Sequence, residues 1–327
     1  MLVLNEVRRM RKYIIIAISV ILILTLATFG FVLSDYSMTE NQLWTLFILG
    51  CITLGAILYC FIVGEIANNF SQMDKLWSIL PIVYAWVVTI RSGFKLRMII
   101  MAAIITLWGI RLTINFARKG AYSIKFWTGE EDYRWAVLRS KKPLNNRFLW
   151  ALFDLFFISF YQNVLVLAIC LPMVAAMESE VAFGIIDGIG AFLAVVFLAI
   201  ETIADEQQWK FHKTKRQLLS DGKSLSEIDA PYNLGFNTTG LWGFMRHPNY
   251  LGEQGIWLSM YIFVIGAGVA RYAIFNWSMA GSLFLVLLFI GSSTFGEAIT
   301  SSKYPMYAHY MRRIPKYLII RKYNPNK

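Results

Sequence analysis

The chain has 327 residues, 57% hydrophobic and only 16% charged, with a formal net charge of +11 at pH 7. Soluble domains average about 45–50% apolar and about 25% charged residues, so the soluble and disordered classes are excluded. What remains is an all-α, polytopic integral membrane helical bundle, in which loop topology accounts for the positive charge and no nucleic-acid partner is needed.

A crossing helix needs about 20 apolar residues. Blocks that qualify are 13–33, 43–64, 76–90, 97–117, 149–173, 181–203, 250–270 and 276–295. They predict about 7–8 transmembrane helices, the third of them short. The first block carries no small-residue cleavage site and is expected to stay as a helix. Gly50, Gly55, Gly64, Gly188 and Gly190 are expected to permit close helix packing. Cys51, Cys60 and Cys170 lie inside apolar blocks, without metal-ligand spacing or a loop context suited to disulfides. No metal site is expected.

With the N-terminus inside, segments 1–12, 65–75, 118–148, 204–249 and 296–327 hold 26 of the 31 Lys and Arg residues. Both termini are therefore predicted to be cytoplasmic. Arg91, Lys95, Arg97 and Arg271 fall outside, and Arg111 falls within a span. The basic loop 91–97 is the exception and suggests a re-entrant third span. The long segments face the cytoplasm, so any chemistry joins a cytoplasmic ligand to something dissolved in lipid.

Ionisable groups within apolar helices are costly and usually functional. In the fourth span, Arg111, Asn115 and Arg118 recur at i, i+4 and i+7. Arg118 can snorkel, whereas Arg111 lies deeper and needs either an anion or a partner among Asp132, Asp154 and Glu201. At the cytoplasmic end of the sixth span, Glu201, Asp205, Gln208 and His212 share one helical face. That face is either a solvated interfacial stripe or a site turned into the bundle.

The densest signal is the run G-L-W-G-F-M-R-H-P-N-Y-L-G-E-Q-G at 240–255. Pro248 suits a first helical position, which puts a helix N-terminus beside Arg246 and His247 as a phosphate cradle. Asn249 and Glu253 stack one turn apart, and Tyr250 lies between them. A carboxylate there can accept hydrogen bonds from an amide or a ribose hydroxyl. The basic, aromatic tail carries Tyr304, Tyr307, Tyr310, Arg312 and Arg313. It either rests on anionic lipid or closes Tyr307 and Arg312 over a ligand.

The run R-H-P-N-Y-L-G-E, preceded by I-E-T-I-A-D-E-Q and followed by K-Y-P-M-Y-A-H-Y, resembles the C-terminal half of membrane steroid 5-alpha-reductases. L-W-G-I-R-L and E-D-Y-R-W resemble the mostly bacterial branch of that superfamily. The likeness covers roughly residues 105–320. It implies a division at 1–96, N-terminal helices on the substrate side, and 97–327, a cofactor-binding membrane domain. It further implies NADPH held by Asp205, Asn249 and Glu253, with Arg246 and His247 near the phosphates and Tyr307 lining the pocket. Arg111, Asn115, Glu201, Gln208, Tyr250 and Arg312 complete the expected cofactor set.

F-I-V-G-E-I-A-N-N-F resembles the segment in which steroid reductases carry a Gln-Glu pair. Here Glu65 is kept and Gly64 replaces the Gln, while Trp108 falls near the family's catalytic tyrosine. The reaction so implied is reduction of a C=C bond in a lipid-soluble enone, steroid-like or polyprenoid-like. Glu65 is the first candidate for polarising the substrate, with Tyr133 and then Tyr84 behind it. The partners implied are that small molecule and membrane lipids, with no obligate protein partner.

A rival is S-adenosylmethionine-dependent methyl transfer. Membrane isoprenylcysteine methyltransferases share an R-H-P-x-Y run and a late Glu followed by Y-x-x-Y, which Glu297, Tyr307 and Tyr310 match. A non-catalytic lipid-binding protein is the third reading. The Glu201/Asp205 stripe and Glu253 favour the reductase.

Overall fold

A computed structural model describes residues 37–269 and 276–324, and every regular element among them is helical. The expected span 13–33 and Arg271 lie outside the described residues.

Helix α1, Glu40–Ala67, starts at a capping box in which Thr39 Oγ1 accepts from Gln42 N–H at 3.1 Å and Gln42 Oε1 from Thr39 N–H at 2.9 Å. That exchange satisfies two of the donors that an uncapped helix start leaves orphaned. The helix stops where Asn68 turns left-handed, at φ 50°.

After the short α2, Gln72–Leu76, comes α3, Leu80–Arg91. Its 12 residues extend about 18 Å at 1.5 Å per residue, well short of a bilayer core of about 30 Å. Helix α4, Leu96–Ala117, is long enough. Two short helices follow, α5, Tyr133–Arg139, and α6, Arg147–Phe153.

Helix α6 runs on through a π-helical stretch, Asp154–Tyr161, into α7, Gln162–Ala176. Together they make one continuous apolar helix, Arg147–Ala176. Phe153, Phe157 and Tyr161 stack face to face along the π-helical stretch. Then come α8, Ile185–Ser220, α9, Pro248–Gly266, α10, Ala280–Lys303 with its 3-10 entry Trp277–Met279, and α11, Met306–Arg313.

Five of these runs are long and apolar enough to cross a membrane: Glu40–Ala67, Leu96–Ala117, Arg147–Ala176, Ile185–Ser220 and Trp277–Lys303. Helix α9 is not among them, because Asn249, Glu253 and Gln254 make its first turns polar.

The described residues form two compact units, one running to Phe192 together with Trp257–Leu287, the other Leu193–Ile256 with 288 onward. In the first, a buried ion pair locks α4 to the start of α8. Arg97 Nε meets Asp187 Oδ1 at 2.7 Å and Nη2 meets Oδ2 at 3.0 Å, with the two residues 4% and 0% exposed. Arg97 also donates to the carbonyls of Val181, Ala182 and Gly266. The sequence reading put Arg97 in an outer loop; the structure makes it a core residue, because α4 starts one residue earlier and turns the guanidinium inward.

The same unit binds the loop before α5 to α2. Lys75 Nζ, fully buried, donates to the carbonyls of Phe126 and Thr128 at 2.8 and 2.7 Å. The run E-D-Y-R-W contributes to this joint. Glu131 accepts from Phe70 N–H, Asp132 caps α5, and Trp135 Nε1 donates to Asp74.

Candidate functional site

Ten of the twelve expected cofactor ligands belong to the second unit, while Arg111 and Asn115 belong to the first. What brings the members on α8 and α9 together is a glycine contact. A Cβ on Gly252 would stand 2.5 Å from Glu201 Cβ and 2.8 Å from the Phe197 carbonyl oxygen. One on Gly255 would meet the Phe197 ring at 2.3 Å. Only glycine lets the two backbones approach this closely.

That contact sets the register between α8 and α9. Glu201 lies against Gly252, so one turn further along α8 Asp205 reaches Asn249, one turn back along α9. Asn249 Nδ2 donates to Asp205 Oδ1 at 3.3 Å. Glu201, Asp205 and Glu253 are 4%, 9% and 4% exposed. Gln208 continues the stripe, its Nε2 3.1 Å from His212 Nε2.

Two amide oxygens here, Asn249 Oδ1 and Gln208 Oε1, are buried without a donor. A buried acceptor without a donor costs about 1–3 kcal/mol. The corner is therefore rich in carboxylate and amide acceptors, and its chemistry suits a ligand that brings N–H and O–H donors.

The basic pair ahead of α9 is differently employed. Arg246 Nε pairs with Glu297 Oε1 at 2.7 Å, and its Nη1 donates to the carbonyls of Met311, at 2.9 Å, and Ile314. His247 Nε2 lies 2.8 Å from the same Glu297 oxygen. Burial pushes the imidazole below its ordinary range, against the pull of Glu297 and with Lys316 and Arg246 adding to the push.

The backbone completes a clasp on the tail. Arg246 N–H donates to Pro315 O at 3.0 Å, His247 N–H to Lys316 O at 3.1 Å, and Tyr323 N–H to Gly243 O at 2.7 Å. Arg246 thus joins both Glu297 and the C-terminal segment to the start of α9.

Tyr250 stacks on His247 with ring centroids 5.2 Å apart and meets Phe289 edge-on at 4.5 Å. Tyr307 is buried in a cluster with Phe236, Tyr310, Ile314 and Tyr323. The Tyr310 hydroxyl donates to the carbonyls of Trp242 and Met245, and burial pushes it up. Arg312 is exposed on α11.

In the first unit, Asn115 Oδ1 accepts from Arg118 Nε at 3.0 Å. Asp132 is ion-paired with Arg134 at 2.8 Å. Glu65 pairs with Arg147 and lies in hydrogen-bonding contact with Asp154. Tyr133 is 53% exposed. Tyr84, fully buried, shares a 2.8 Å hydrogen bond with Thr53. Trp108 is enclosed and packs edge-on against Trp257.

Sequence reasoning named Asp154 only as a possible partner of Arg111. Its position in the middle of an apolar block was the signal that it belongs to a site of its own.

A family model described as a protein of unknown function (DUF1295) matches residues 60–314. The chain is 34% identical over 279 residues to the uncharacterized protein C594.04c of Schizosaccharomyces pombe (strain 972 / ATCC 24843), which covers 80% of this chain and 78% of that one. No solved structure matches.

Proposed function

The chain belongs to the DUF1295 family of proteins of unknown function, and we propose that it is a membrane-embedded, NADPH-dependent reductase of a carbon–carbon double bond in a lipid-soluble substrate. One observation carries this reading: the acceptor corner of α8 and α9. There Asp205 and Asn249 are joined, Glu201 and Glu253 are buried, and the oxygens of Asn249 and Gln208 lack donors.

The nicotinamide carboxamide and the ribose hydroxyls of a dinucleotide bring the donors that such a corner lacks. The buried carboxylates orient those donors and exclude water from between them. Arg312, exposed on α11, is the tail cation suited to a phosphate. Bound NADPH would supply the hydride, the step a protein cannot provide from its own side chains. The resemblance to steroid 5-alpha-reductases supports the same cofactor and an enone, steroid-like or polyprenoid-like, as the substrate. With it go about 7–8 crossings and both termini in the cytoplasm, as the charge bias predicts.

The test is a thermal shift of the detergent-purified protein with NADPH, NADH and S-adenosylmethionine. A ligand at 100 times its Kd stabilises the folded state by about 2.7 kcal/mol. NADPH is expected to raise the melting temperature of the wild type. Asn249→Ala removes a hydrogen-bonding group worth about 0.5–1.5 kcal/mol, so the shift should shrink by roughly a fifth to a half, and likewise in Glu253→Gln. Stabilisation by S-adenosylmethionine alone would replace the reductase with methyl transfer.

A further inference from the structure

Glu65 and Asp154 present an electrostatic problem that their neighbours leave open. Glu65 Oε2 pairs with the guanidinium of Arg147, whose side chain is 63% exposed. Its other oxygen, Oε1, is buried and meets no donor. Asp154 is 1% exposed at the first residue of the π-helical stretch. Asp154 Oδ1 accepts the hydroxyl of Ser159 at 3.2 Å, and Oδ2 meets no donor.

The two carboxyl groups interact at hydrogen-bonding range, and Oε1 and Oδ2 are the two oxygens left without a donor. Gly64 leaves room for that approach, since Asp154 Oδ2 would be 3.7 Å from a Cβ there.

Two carboxylate oxygens in contact repel, and inside an apolar bundle no solvent screens them. Arg147 offsets one negative charge, not two. Ser159 has a single hydroxyl proton, which goes to Oδ1. The amide of Asn163, fully buried, spends its hydrogens on Ser159 O at 2.7 Å and Cys60 Sγ at 3.6 Å. Asn163 Oδ1 is then left without a donor as well. A polar cluster in α1, the π-helical stretch and α7 thus holds three buried oxygens that require a donor and have none. A single proton between Glu65 and Asp154 answers two of them at once.

We propose that Glu65 and Asp154 share one proton and form a proton-binding site within the membrane-spanning helices, loaded from water at the Arg147 side. The proton comes from water by way of Glu65 and is held between the two carboxyl groups.

Infrared spectroscopy of the purified protein in H2O and D2O reads the proton directly. A protonated-carboxyl stretch that shifts in D2O is expected at neutral pH, lost in Asp154→Asn and lost or displaced in Glu65→Gln. Asp154→Asn keeps the side-chain shape, and a melting curve establishes folding for each variant. Should one variant fail to fold, the other carries the test.

A wild-type spectrum without the band overturns the proposal, as does a band untouched in the folded variants. So does a sodium-dependent thermal shift in place of the band, which assigns the site to a cation. The two readings fail separately. A band without NADPH stabilisation keeps the proton site and removes the reductase, while stabilisation without the band does the reverse.

Discussion

At the residue scale, the charges that break the composition are those that organise the structure. His247 gives the most direct pH test. Burial favours its neutral form, so the folded protein binds a proton there less readily than the unfolded chain, whose imidazole titrates near 6.5. Where the unfolded state binds more protons, stability rises with pH. The contribution of His247 is therefore present above about pH 6.5 and is lost as pH falls through and below that value. Melting temperatures from pH 8 to pH 5 are expected to fall more steeply in the wild type than in His247→Gln. Equal slopes, or a wild type that gains stability on acidification, would contradict this assignment.

Arg97 and Asp187 make a second residue-scale case. Stranding one member of a buried ion pair typically costs about 3–5 kcal/mol. Asp187→Leu should therefore lower the melting temperature sharply. Arg97→Met combined with Asp187→Leu should recover part of the loss, because no charge remains buried. A double variant less stable than Asp187→Leu would argue against the pair. Neither partner was legible as a core residue in the sequence. Arg97 follows two other bases at a loop, and Asp187 is a lone acid at the start of an apolar block. Only a contact between distant helices reveals what they do.

At the element scale, helix positions were legible and helix contacts were not. Apolar blocks 43–64, 97–117 and 149–173 sit inside helices Glu40–Ala67, Leu96–Ala117 and Arg147–Ala176, because hydropathy is a property of consecutive residues. Close packing is a property of pairs. Of the glycines expected at tight contacts, Gly50, Gly55 and Gly188 have nothing within 4 Å of an added Cβ among the described residues. Gly190 packs against Phe263 at 3.2 Å.

The tightest approach of α8 and α9 falls instead at Gly252 and Gly255, inside the run first noticed for its polar residues. Gly252→Ala should push α9 from α8, costing about 1–3 kcal/mol as overpacking does. It should also break the Asn249–Asp205 hydrogen bond and reduce any NADPH-dependent thermal shift. Gly188→Ala, made in the same helix α8 with nothing within 4 Å among the described residues, should instead be neutral or stabilising, since alanine costs a helix less than glycine. Equal effects from the two would mean that helix propensity, not contact, governs both sites.

At the scale of the whole molecule, the charge bias and the helix count make a joint prediction about sidedness. Exposed Ser123 precedes Arg147–Ala176, exposed Glu180 follows it, and exposed Lys223 follows Ile185–Ser220. Two crossings return the chain to the side it left. Cysteines at Ser123 and Lys223 should therefore share a face and one at Glu180 the opposite face, in a background carrying Cys51→Ala. Cys51 is the exposed native thiol, whereas Cys60 and Cys170 are buried.

In the orientation proposed from the Lys/Arg bias, the shared face is the cytoplasmic one. A membrane-impermeant thiol reagent added to intact cells should label Glu180→Cys alone, reaching the other two only after permeabilisation. A cysteine at Lys322 then decides the status of α9, whose first turns are polar. If α9 and Trp277–Lys303 both cross, Lys322→Cys is protected together with Lys223→Cys. If α9 stays at one face, Lys322→Cys is labelled from outside. The tail, bonded to Gly243, Arg246 and His247, could then not share the side of Lys223. Protection of Lys322→Cys is the outcome that the proposed orientation of the basic tail and the proposed cytoplasmic cofactor both require.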